Sequence, residues 1–139
     1  MATRSQAREA VMSLFYAYDS GNEEIRKSAI EILNEKKIKN KQQEFALSLF
    51  DGTLSHLQKI DDLIAKHLKE WDLERIGGME KAILRLGVYE ICFTPTDAPI
   101  VINEAIELAK LYGGDHAPAF INGVLDAIKK EKHATLCRS

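Results

Sequence analysis

The segment from Met79 to Phe93 limits what this chain can become more than any other. Ile83, Leu84, Leu86, Val88, Ile91 and Phe93 fall on nearly every side of a helix of that length, and a helix that is apolar all round is stable only when other elements enclose it. The chain must therefore build a bundle or a sheet around it. No segment alternates apolar and polar residues with the period of a strand, so the enclosing elements are helices. The expected fold is all-α, a compact bundle of six or seven helices arranged as two packed sub-bundles that meet near a long third helix.

The remaining elements follow from apolar spacing and from stop signals. Ala7, Ala10, Val11, Leu14, Phe15 and Tyr18 form one stripe on a first helix that Thr3 caps and Gly21 ends. A second helix starts at Asn22, with Glu23 and Glu24 at its positive end and Ile25, Ala29, Ile32 and Leu33 facing inward. It runs out in the basic linker EKKIKNK. From Lys41, Phe50, Leu54, Leu57, Ile64 and Leu68 keep a three-and-four spacing, which predicts one long helix to about His67, kinked near Gly52. Asp72 is placed to cap a short turn before Gly77 and Gly78. Two closely spaced prolines make Thr94 to Pro99 a turn. A helix with Ile102, Ala105, Ile106 and Ala109 buried follows, ending at Gly113 and Gly114. Asp115 then caps a last helix that carries Phe120, Ile121, Val124, Leu125 and Ile128. Gly123 within that helix reads as a close approach of two helices. Residues 1–132 thus form one helical domain, and 133–139 (HATLCRS) lack periodicity and are expected to be disordered.

At 139 residues the chain buries a sufficient core without staples. Cys92, in an apolar segment, and Cys137, in the polar tail, read as separate thiols of a reducing compartment. There is no apolar run long enough to cross a bilayer and no signal-peptide pattern, so a cytoplasmic protein without a membrane role is expected. Catalysis finds no support. Glu104 and Glu107 have i, i+3 spacing, but none of His56, His67, His116 and His133 follows a glutamate by three, so the ligand pattern of a carboxylate-bridged metal site is missing and no metal or cofactor is expected. The apolar neighbours of Cys92 disfavour a thiolate nucleophile, and both Gly-Gly pairs lie between helices, away from any strand-to-helix phosphate loop.

A net charge of −2 means that any nucleic-acid binding must come from a local patch. Arg4 and Arg8 stand one turn apart near the first helix start, on the solvent edge of the bundle by wheel geometry. With Thr3, Ser5 and Gln6 beside them they are candidates for a clamp on RNA phosphates or base edges, or else a pair of solvated arginines. Lys36, Lys37, Lys39 and Lys41 either extend a basic surface or keep a loop soluble. Tyr112, His116 and Phe120 gather at the Gly113-Gly114 turn, where exposed rings stack on unpaired bases, although Phe120 also suits the core. Asn103 and Asn122 read as caps of helices or bridges between them in preference to ligand contacts.

Several blocks carry more than amphipathic pattern: WDLERIGGMEKAILRLGVYE from Trp71, then INEAIELAKLYGG, then FINGVLD ending at Asp126, with a weaker ATRSQAREAVMSLFY at the N-terminus. In order and spacing these resemble the NusB family of bacterial transcription antitermination factors, over most of the chain. The resemblance implies a non-enzymatic helical protein that binds boxA RNA of nascent ribosomal RNA together with NusE, a small-subunit ribosomal protein, and joins the elongating RNA polymerase to promote read-through. It implies RNA contacts at Thr3, Arg4, Gln6, Arg8, Tyr112 and His116. The NusE face falls at Glu74, Arg75 and Glu80, where carboxylates suit a very basic partner; Arg85 either frames that face or belongs to the bundle. Two other readings stand beside it. One is the RNA-binding domain of a ribosomal RNA cytosine methyltransferase, which needs a cofactor-binding αβ half that these residues do not contain. The other is a homodimeric adaptor.

Overall fold

The computed structural model describes residues 2–68 and 73–133, with Glu74 and His133 described in backbone only. Seven α-helices are present among them: α1 (Arg4–Asp19), α2 (Ile25–Glu35), α3 (Asn40–Ser55), α4 (Leu57–Lys66), α5 (Gly78–Phe93), α6 (Ala98–Tyr112) and α7 (Ala117–His133). A single 3-10 turn, Leu73–Arg75, precedes α5, and no strand occurs among the described residues.

Helix α5 is the spine that its all-round apolarity predicts. It packs against α1, α3, α4, α6 and α7, and Ala82, Ile83, Leu84, Leu86, Val88 and Ile91 are buried on its several faces. Helices α1, α2 and α3 pack together on one side, and α6 and α7 on the other. The two groups therefore meet along α5, and one continuous set of buried residues runs from Ala7 to Ile128. Phe15 of α1 stacks on Phe50 of α3 with ring centroids 4.9 Å apart.

The long third helix is not continuous. Instead of kinking near Gly52, the chain breaks at His56 (φ −117°, ψ 20°) and restarts as α4. The His56 ring explains the break: Nδ1 lies 2.9 Å from the Gly52 carbonyl oxygen, and the ring stacks on Phe93 at 4.2 Å. Gly52 serves another purpose, because a β-carbon there would collide with the Tyr89 ring, which is itself stacked on Phe93. Alanine is normally better than glycine in a helix by about 1 kcal/mol. Gly52→Ala is nevertheless expected to destabilise by about 1–2 kcal/mol, as overpacking does, measured as a lower urea midpoint. Adding Tyr89→Ala should abolish that penalty, so that the double variant is no less stable than Tyr89→Ala alone.

Other boundaries differ for local reasons. Helix α6 starts at Ala98 and takes Pro99 into its first turn, where the missing N–H has no intrahelical partner to lose; the expected turn is therefore shorter. Helix α7 starts at Ala117, later than an Asp115 cap would place it, and includes His133, which was expected in the tail. Gly123 has open space around it, so it marks an exposed face of α7 and not a close helix contact. Asn103 and Asn122 are likewise exposed and bridge nothing among the described residues. The proposed Asp72 cap, Trp71, Cys137 and residues 134–139 lie outside the described residues.

Candidate nucleic-acid interface

The start of α1 is built by a capping box. The Gln6 backbone N–H donates to Thr3 Oγ1 at 3.1 Å, and the Thr3 N–H donates to Gln6 Oε1 at 2.8 Å, so both side chains satisfy the helix end. Arg4 projects into solvent with its guanidinium 4.3 Å from the centroid of Phe45 on α3. Arg8 does not share that exposure. It is only 5% exposed and forms a bidentate pair with Glu90 of α5 (2.7 and 2.8 Å) and a third bond to Glu104 of α6 at 3.1 Å. Ser5 donates to the same Glu104 oxygen at 2.5 Å. Burial works against the Arg8 charge, but the Glu90 and Glu104 carboxylates more than offset it and leave the proton held more firmly than usual. Arg8 is one and two turns from Met12 and Phe15, which places it on the core stripe itself and corrects the expected solvent-edge position.

Next to this end lies the loop between α2 and α3. Ile38 is buried at its centre, while Lys36, Lys37, Lys39 and Lys41 are exposed around it. Gln43 pins the loop, donating to the Asn34 side chain at 2.8 Å and to the Ile38 carbonyl at 3.1 Å. Two grooves flank it. One, of about 570 Å³, is lined by Ala2, Lys37, Lys39, Asn40, Lys41 and Gln42; the other, of about 220 Å³, brings Gln6 and Glu9 of α1 together with Lys36 and Tyr112. Tyr112 donates its hydroxyl to the Glu9 carboxylate, and this bond raises the phenol pKa.

Tyr112 and His116 therefore part company. Tyr112 joins the α1 face, whereas His116 lines a separate cleft of about 440 Å³ with Arg75, Ile76, Gly77, Glu80, Ala117 and Phe120. Phe120 is half-buried, packed on the core with one side lining this cleft. The cleft brings Arg75 and Glu80 together with His116; the Glu74 side chain lies outside the described residues. Arg85 belongs to the bundle: it is 7% exposed, with a bidentate pair to Asp61 of α4 at 2.9 Å and a bond to Asp19 of α1 at 3.2 Å.

No group of three or more potential metal-ligating side chains occurs among the described residues, nor is any described helix long and apolar enough to cross a membrane. What the surface offers is five exposed cations, Arg4 and Lys36, Lys37, Lys39 and Lys41, arranged around a helix start with a tyrosine at the edge. That arrangement suits a polyanion with unpaired bases.

The comparisons with known proteins agree with a binding protein of this shape. The transcription antitermination protein NusB of Wolinella succinogenes is 65% identical over 131 residues, covering 94% of this chain and 97% of its own. That of Helicobacter pylori strain G27 is 61% identical, with coverages of 94% and 95%. Among solved structures, a complex of the antitermination factors NusB and NusE with double-stranded RNA matches with a TM-score of 0.84 and 36% identity over 92% of this chain and 96% of that one. The solution structure of NusB from Aquifex aeolicus matches with a TM-score of 0.81 and 36% identity over 98% and 93%. The model of the NusB family matches residues 5–130, nearly all of the helical core described above, and the chain belongs to that family.

Proposed function

We propose that this protein is a transcription antitermination factor: with NusE it binds boxA in nascent ribosomal RNA, and the complex joins the elongating RNA polymerase so that transcripts escape termination. The observation that carries this reading is the near full-length match to relatives named for antitermination, one of which is spanned over 97% of its own length. The 65% identity to that relative favours it over the RNA-binding domain of a methyltransferase. The exposed basic end of α1 supplies the chemistry, with Arg4 contacting RNA directly and Thr3 and Gln6 presenting it from a rigid cap. Tyr112 offers a ring at the same face. Arg8 holds α1 in place from below. The cleft with Arg75, Glu80 and His116 is the NusE side, with Glu74 in the adjoining turn, and His116 lies where RNA and protein partner would adjoin.

Fluorescence anisotropy with labelled boxA RNA, with and without NusE, tests this reading. Tighter binding of boxA than of a scrambled RNA is expected when NusE is present. Arg4→Ala should weaken boxA binding about tenfold, the loss of one charge-assisted contact, and flatten the salt dependence by about 0.7 of a logarithmic unit per unit. Equal binding of boxA and scrambled RNA in the presence of NusE would sink the proposal.

A further inference from the structure

We propose that the α2–α3 loop and the first turn of α3 form a track for the phosphates of RNA that flanks the element read at the end of α1, with Lys37 and Lys39 of the loop and Lys41 of α3 as its contacts. This rests on the RNA-binding reading and extends it to a surface that reading does not require. A loop that merely solubilises the protein needs neither shape nor fixed position, and this one has both. The groove of about 570 Å³ has three lysines among its six lining residues and no carboxylate. The neighbouring Glu35 and Glu44 are exposed but do not line it. None of the lysines forms an ion pair among the described residues, while Lys27, Lys66, Lys81, Lys110 and Lys130 all do. The charges of the loop are thus available to a ligand.

The loop is also held in one conformation. Ile38 anchors it in the core, Gln43 ties it from α3, and Lys37 and Asn40 adopt left-handed backbone at φ 61° and 57°. Asparagine tolerates this conformation, whereas at Lys37 it is adopted at a cost. Ala2, just ahead of the Thr3 cap of α1, lines the same groove, and Phe45, on which Arg4 lies, is one helical turn beyond Lys41. A strand lying on the α1 end is therefore next to the mouth of the groove. Phosphates bind such a track without sequence preference.

The triple variant Lys37→Gln, Lys39→Gln, Lys41→Gln tests the track, alongside a control of equal charge change on other faces, Lys27→Gln, Lys129→Gln, Lys130→Gln. Two RNAs are titrated in the presence of NusE: the boxA element alone, and boxA flanked on each side by about ten nucleotides, enough to cross a groove of this size. The loop variant should bind the long RNA about tenfold more weakly, with a salt slope shallower by about 2, the value for three single-strand phosphate contacts. It should bind the short RNA within about twofold of the parent, and the control should bind both RNAs like the parent. Equal losses on both RNAs, losses matched by the control, or no loss on the long RNA would each overturn the track. A scrambled core with intact flanks separates the two proposals. If the parent binds it as well as boxA, the antitermination reading fails, while the loop variant still reports on the track.

Discussion

Arg8→Ala is expected to destabilise the protein by about 3–5 kcal/mol, the usual cost of removing one partner of a buried ion pair. The magnitude follows from what is left behind. Glu90 is 1% exposed, and its two Arg8 bonds of 2.7 and 2.8 Å are the contacts that compensate its buried charge. Truncating the arginine strands that carboxylate in the core of α5, while Glu104, with its side chain 20% exposed, can turn partly to water. Replacing both Arg8 and Glu90 by apolar residues of similar volume, Arg8→Met with Glu90→Leu, should recover most of the loss. Urea unfolding of the two variants and the parent gives the comparison, and an Arg8→Ala midpoint within error of the parent would show that water reaches Glu90. Arg4→Ala, which removes only an exposed cation resting on Phe45, should cost no more than about 1 kcal/mol. The pair therefore divides one sequence feature in two: loss of RNA binding in Arg4→Ala reports on the interface, whereas loss in Arg8→Ala reports first on the fold.

That division also shows where the sequence was legible. The all-α class, the α5 spine and the Thr3 cap are consequences of local pattern, and local pattern is visible in a single chain. The role of Arg8 depends on Glu90 and Glu104, which stand more than eighty residues away, and spacing on α1 alone cannot bring them near. A signal was nonetheless present in α5, since Glu90 and Arg85 sit among apolar residues on a helix that must be enclosed, and each demands a buried partner of opposite sign. Pairing Glu90 with Arg8 is the step that one helical wheel cannot supply. The separation of Tyr112 from His116 has a similar origin: four residues across a Gly-Gly turn look adjacent in sequence, but the turn sends one to the α1 face and the other to the α5–α7 cleft. The break at His56 was hidden because it comes from a side chain stacking on Phe93, and apolar spacing continues undisturbed through it.

Phe50→Ala is expected to cost about 3–5 kcal/mol, as full truncation of a buried phenylalanine does, and it asks whether the two helical groups are one cooperative unit. Phe50 is fully buried and stacked on Phe15, so the cavity opens between α1 and α3 on the side of the spine away from α6 and α7. If the continuous set of buried residues that passes through α5 behaves as a single core, the loss lowers the urea midpoint without changing the slope, because the same surface is exposed on unfolding. Phe50→Leu, which refills most of the space, should cost no more than about 1.5 kcal/mol. Amide exchange then distinguishes the alternatives. Protection should fall together in α3 and in α7 of Phe50→Ala; protection that falls in α1 and α3 while α7 keeps its parent value would mean that the groups unfold separately. In that case the end of α1 proposed to meet RNA would open without the rest of the molecule, and the Arg8 bonds to Glu90 and Glu104 would be the contacts that resist it.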